Sequence, residues 1–139
     1  MNKVVFLDTA YAIALAAPAD QFHDPAVKLA EQMETEGASL VTTRAVMMEI
    51  GNALSKLRHR RPAIELLESL EGDPSVEIVP FTEELYGRAY RLYRSRADKE
   101  WGLTDCVSFI IMEERGLTEA LTADEHFQQA GFKALLRES

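Results

Sequence analysis

Four acidic residues, Asp8, Glu49, Asp105 and Asp124, stand where the chain enters or leaves regular structure. Asp8 directly follows the apolar run Val4-Val5-Phe6-Leu7, which reads as a buried strand. Asp124 follows another strand-like run after Thr122-Ala123, and Asp105 falls in the first turn of a helix after its Thr104 cap. Glu49 is two turns into a helix capped by Thr43, beside an apolar stripe of Val46, Ile50, Leu54 and Leu57. Three of the positions also have a plain structural use, while Glu49, between Met48 and Ile50 beside the stripe, is the one that needs a reason. Asp8 suits a turn, Asp105 complements a helix dipole, and Asp124 can cap the helix that follows. Gathered together, the four would repel one another and need neutralising. Hard divalent cations do this, and oxygen ligands suit Mg²⁺ and Mn²⁺, as one ion or two. Two such ions about 4 Å apart can bind both the attacking and the leaving oxygen of a phosphodiester.

The elements that must position these acids alternate in kind. Strands are expected at Val4–Leu7, Ser39–Thr43, Val76–Val79, Glu119–Thr122 and Phe132–Leu136. Helices are expected at Thr9–Ala17 and from an Asp24 cap with Pro25 to about Glu36, ended by Gly37. A Thr43-capped helix runs through Leu57, and Arg61-Pro62 marks a break before a helix over Pro62–Leu70. Thr82 caps a helix from Glu83 to about Arg94, and Ser95–Gly102 is a loop. Asp105–Arg115 is a deeply buried helix ended by Gly116, and a short helix covers Glu125–Ala130. This alternation predicts an α/β fold with a mostly parallel sheet, in which sites lie at the carboxyl ends of strands. No linker or repeat divides the chain, so a single domain over residues 1–139 is expected.

Bulk properties narrow the class. Apolar residues are 47% of the 139, enough for a core, and charged residues are 27%. The first apolar run is too short for a signal peptide, and no stretch approaches the ~20 apolar residues of a membrane span. One cysteine, Cys106, excludes an internal disulfide and a zinc-site cysteine pair, so a soluble cytoplasmic protein is expected. The net charge of −8 weighs against a polyanion partner. However, eight of the fifteen Lys and Arg residues form two blocks: Lys56, Arg58, Arg60 and Arg61, then Arg88, Arg91, Arg94 and Arg96.

Four segments together resemble the PIN-domain ribonucleases of the VapC type, the toxin half of bacterial toxin–antitoxin pairs. They are Val5-Phe6-Leu7-Asp8-Thr9; Thr42-Thr43 through Glu49-Ile50-Gly51-Asn52-Ala53-Leu54; Trp101 through Phe109, containing Thr104-Asp105; and Ala120-Leu121-Thr122-Ala123-Asp124-Glu125-His126-Phe127. They stand in the family's order and cover essentially the whole chain. The resemblance implies a three-layer α/β/α sandwich, and Mg²⁺ or Mn²⁺ held by Asp8, Glu49, Asp105 and Asp124. It further implies endonucleolytic cleavage of RNA, homodimerisation and a small antitoxin partner. Asp8 and Asp105 match the family's most direct metal ligands.

Supporting residues have less specific signals. Thr9 and Thr104 adjoin two of the acids and can hold carboxylates or water in place; Asn52, one turn beyond Glu49, can orient it. His126 reads as a surface or structural histidine, and Cys106 as a small core residue. Tyr86, Tyr90 and Tyr93 share a helix face that would pack on core or on a second copy. Arg88, Arg91, Arg94 and Arg96 can track an RNA backbone, as can Arg58, Arg60 and Arg61.

Rival classes fit less well. A HAD-type phosphatase wants an acid two residues after the strand-end Asp, where Ala10 stands. A receiver domain wants adjacent acids there and a lysine after a late strand, and apart from Lys133 none is so placed. The remaining alternative is a PIN-like module that binds metal or protein and cuts little.

Overall fold

The structure is a computed structural model that describes residues 3–138. Five strands, β1 (Val4–Leu7), β2 (Ser39–Thr43), β3 (Val76–Val79), β4 (Glu119–Leu121) and β5 (Lys133–Ala134), form one sheet in the order β3-β2-β1-β4-β5. Every neighbouring pair is parallel. β1 is central: Phe6 lies opposite Val41 on one side and Ala120 on the other. The helices are α1 (Thr9–Ala16), α2 (His23–Thr35), α3 (Arg44–Ala53), α4 (Leu57–Gly72), α5 (Glu83–Ser95), α6 (Leu103–Glu114) and α7 (Glu125–Gln129).

A parallel sheet is covered on both faces, so its strands are apolar at consecutive positions. Val5, Phe6 and Leu7 are all buried. Phe6 meets Phe127 of α7, which packs edge-on against Phe109 of α6, and Phe109 packs edge-on against Trp101. Leu7 points to the opposite face, where with Leu40 and Leu121 it lines a hollow shared with Tyr11, Met33 and Leu70 of α1, α2 and α4. Helices on both faces of the sheet make the three-layer α/β/α arrangement.

Several boundaries differ from the sequence expectation. α2 begins at His23, before the expected Asp24 cap, and Asp24 falls in its first turn instead. α3 ends at Ala53, so Leu54 closes the stripe in the core while Leu57 starts the next helix 90% exposed. Pro62 lies inside α4 rather than at its start. The donor it removes would have served Arg58, an exposed residue whose carbonyl water can satisfy, so the helix continues through it. α6 begins at Leu103, so Thr104 is a first-turn residue and not the cap. Asp105 does the capping work from inside the helix, accepting from the Gly102 N–H at 3.1 Å. Thr43 and Thr82 do cap α3 and α5, accepting from Val46 and Leu85 N–H groups at 3.1 Å each. β5 is only two residues long.

Candidate metal centre

The carboxyl ends of β1 and β4, the central strand and its neighbour, lie side by side, and each releases an aspartate there. Asp8 follows β1 and is 3% exposed. Asp124 follows β4 and caps α7 by accepting from the His126 N–H at 2.8 Å. Thr122 sits between them, fully buried. Its hydroxyl donates to Asp8 Oδ2 at 2.8 Å and accepts from the Asp124 N–H at 3.0 Å, fixing both acids against one side chain.

Asp105 comes from the first turn of α6. Its Oδ2 lies 3.0 Å from His126 Nδ1, and that nitrogen is 3.4 Å from Asp124 Oδ1. One ligand atom from each of Asp105, Asp124 and His126 lies within 4.8 Å of the others, so these three can hold a metal ion. Glu49 is more distant. It is exposed on α3 and joins the group through Thr9, whose hydroxyl donates to Glu49 Oε1 at 2.6 Å.

The charges in this cluster are unbalanced. Burial pushes the Asp8 carboxyl up to about 7; the Thr122 hydrogen bond and the Thr9 backbone oppose this, while the charges of Asp105 and Asp124 add to it. Burial likewise raises Asp105, against hydrogen bonds from Gly102 and His126. Burial works to lower His126, but its hydrogen bond to Asp105 and the charges of Asp124, Asp105 and Glu125 outweigh it, and the imidazole is held above its ordinary value. Buried like charges of this kind are relieved by a cation, and a set dominated by carboxylate oxygens suits a hard divalent ion.

The supporting residues divide. Thr9, expected to hold a carboxylate or water, donates its hydroxyl to Glu49. Asn52 and Thr104 line the same cleft as Glu49, without a hydrogen bond between Asn52 and Glu49 among the described residues. Ser108 bonds the Thr104 carbonyl at 3.1 Å, which is ordinary helix packing. Cys106 is a buried core residue whose thiol burial and Asp105 push up to about 11, so it is no nucleophile. Two residues of the site had weak sequence signals. His126 is drawn inward because Asp124 caps α7 and thereby fixes its first turn. Thr122 reads in sequence as the end of an apolar strand, and only its two-residue offset from Asp124, a common hydroxyl-turn spacing, hints at the bond it makes.

The arginine blocks are less uniform than their spacing. Arg88 pairs with Glu114 at 2.7 Å, and Arg96 pairs with Asp98 at 3.0 Å and stacks over Trp101. Arg60 donates to the Ser55 carbonyl, and Arg58 to the His59 ring. Arg61, Arg91 and Arg94 make no ion pair among the described residues. Tyr86, Tyr90 and Tyr93, expected to pack on core or on a second copy, are all more than two-fifths exposed.

The fold and this edge define a parallel α/β domain with a carboxylate–histidine site at the strand ends. The chain belongs to the PIN domain family, whose pattern matches residues 5–133. It is 24% identical over 129 residues to the 23S rRNA-specific endonuclease VapC20 of Mycobacterium tuberculosis, covering 93% of this chain and 95% of that one. The crystal structure of M. tuberculosis VapC20, a toxin that cleaves the sarcin-ricin loop, superposes with a TM-score of 0.82 at 23% identity, over 92% of this chain and 95% of that one. VapBC2 from Rickettsia felis, bound to a promoter DNA fragment, gives 0.62 at 13% identity, over 94% and 96%. FitAcB from Neisseria gonorrhoeae gives 0.61 at 21%, over 94% of each chain. No helix among the described residues is long and apolar enough to cross a membrane.

Proposed function

We propose that this chain is a Mg²⁺- or Mn²⁺-dependent endoribonuclease, the toxin of a toxin–antitoxin pair, and that residues 1–139 act as one nuclease domain. The observation that carries this is the gathering of Asp105, Asp124 and His126, whose ligand atoms lie within 4.8 Å of one another, with Asp8 tied to Asp124 through the Thr122 hydroxyl. PIN membership and the ribonuclease activity of VapC20 support the substrate class. The VapBC2 and FitAcB relatives support a small antitoxin partner, and homodimerisation in the cytoplasm fits that family setting.

In this reading Asp8, Asp105 and Asp124 are the ion's carboxylate ligands. Glu49, held by Thr9, orients the attacking water from the more open side. His126 keeps Asp105 turned toward the ion. Bound there, the divalent ion supplies Lewis acidity, which makes water a usable nucleophile near neutral pH and draws charge from the leaving oxygen. The unpaired Arg61, Arg91 and Arg94 contribute to holding the RNA backbone, with Arg58, Arg60, Arg88 and Arg96 at its margins.

The test is a cleavage assay on structured and single-stranded RNA with Mg²⁺ or Mn²⁺, with Asp8→Asn as control. Cleavage is expected from the native chain alone, stopping in EDTA and returning with excess metal. Cleavage that persists in chelator or in Asp8→Asn contradicts the reading; metal binding without any cleavage leaves a binding module.

A further inference from the structure

Glu49 and Thr104, the neighbour of Asp105, line one side of a cleft of about 310 Å³ whose remaining lining the proposed reaction does not use. Glu49, Thr104 and Asn52 are its polar lining; Met48, Phe81 and Tyr86 are part of its apolar lining. These apolar side chains are exposed: Met48 by 62%, Phe81 by 43% and Tyr86 by 47%. The volume is at the lower end of the roughly 300–1,000 Å³ that small-ligand sites span. It suits a flat ring better than a folded peptide segment.

The aromatic surface continues away from the acids. Phe81 packs edge-on against Tyr86 at 6.2 Å, and Tyr86 stacks with Tyr90 at 6.3 Å. Leu103 belongs both to this cleft and to a second hollow, lined by Tyr90, Tyr93, Arg94 and Lys99. Arg94 and Lys99 make no ion pair among the described residues. The two adjoining hollows therefore carry a side-chain amide, a run of aromatic faces and two cations without an ion pair among the described residues. Aromatic faces interleaved with cations are what an unpaired nucleic-acid strand requires, because bases stack on the rings and phosphates meet the charges. A self-associating face would not need free cations at its end.

We propose that this cleft receives one unstacked nucleobase of the RNA next to the cut, stacked on Tyr86 and read at its edge by the Asn52 amide, with the following phosphates running toward Arg94 and Lys99. The proposal rests on the ribonuclease reading for its substrate, and gives Tyr86 and Asn52 the choice of base. The Asn52 amide offers both donor and acceptor, so it can distinguish one base edge from another.

The probe is a set of short single-stranded RNAs carrying 2-aminopurine at one position each, titrated into the Asp8→Asn protein, which is expected to hold RNA without cutting it. One position is expected to be strongly quenched. Tyr86→Ala should remove that quenching and weaken binding at least fivefold, Tyr86→Phe should keep it, and Asn52→Ala should leave quenching in place but flatten the preference among bases at that position. In the cutting protein, Tyr86→Ala and Asn52→Ala should change the cleavage preference while metal affinity stays the same. Unchanged quenching and unchanged base preference in Tyr86→Ala and Asn52→Ala overturn the proposal while leaving the nuclease standing. A shift from dimer to monomer in Tyr86→Ala with RNA binding unaltered also overturns it, and assigns the strip to a second copy. Position-specific quenching in a native protein that cuts no RNA keeps the base site and removes the nuclease.

Discussion

Thr122 Oγ1 donates to Asp8 Oδ2 at 2.8 Å across 114 residues of sequence, and the same oxygen accepts from the Asp124 N–H. One buried hydroxyl thus sets the spacing of two acids that leave different strands. Thr122→Val keeps the shape and loses both bonds. Partners of this kind cost roughly 10–100-fold in metal affinity or activity when removed. Thr122→Val is expected to fall in that range by Mn²⁺ titration, with Thr122→Ser recovering most of it. Wild-type affinity in Thr122→Val would show that the acids are placed by the strands alone.

Asp8 supplies a pH prediction for the protein stripped of metal. Its folded carboxyl is held at about 7 against 3.8 unfolded, so between those values the folded state binds more protons. Stability then falls as pH rises through that window. In EDTA the melting temperature is expected to drop between pH 5 and pH 8 by the equivalent of a few kcal/mol, with Asp8→Asn flattening the slope. A melting temperature that rises over this window reverses the sign and removes the argument from burial.

Activity and stability respond in opposite directions at the site. Asp8→Asn and Asp105→Asn are expected to abolish cleavage, yet in EDTA Asp8→Asn should melt at or above the native temperature, because it removes a buried like charge. Parallel thermal melts and cleavage assays check this. A variant that both loses activity and unfolds would mark Asp8 as structural.

The Phe6–Phe127–Phe109–Trp101 cluster ties α7 to the sheet. Phe127 is fully buried, and it sits between the elements carrying Asp105 and Asp124. Phe127→Ala is expected to cost about 3–5 kcal/mol in denaturant unfolding, and to weaken Mn²⁺ binding through α7. A loss below ~1 kcal/mol would mean that α7 is held by something other than this packing.

Much of this arrangement is legible in the residues. The apolar runs before Asp8 and Asp124 mark strands covered on both faces, and both acids do stand at strand ends. Thr43 and Thr82 announce their helices by capping them, whereas Thr104, equally placed before an apolar run, falls inside α6. Pro62 misleads, because its cost depends on whether the lost donor served a buried or a wet carbonyl, which spacing does not reveal. His126 and Thr122 are hidden for a related reason: their partners lie 21 and 114 residues away, and local pattern carries no information about side chains that meet only on folding. The tyrosines show the opposite case: helical spacing gives one shared face, and that face lies off the core, open to a second copy or a ligand.

The most direct measurement is a crystal of the native chain grown with Mn²⁺ and examined for anomalous scattering. A peak within bonding distance of Asp8, Asp105 and Asp124 oxygens is the predicted result. Density for manganese only elsewhere, or none at saturating metal, would contradict a carboxylate-held ion as the centre of this protein's chemistry.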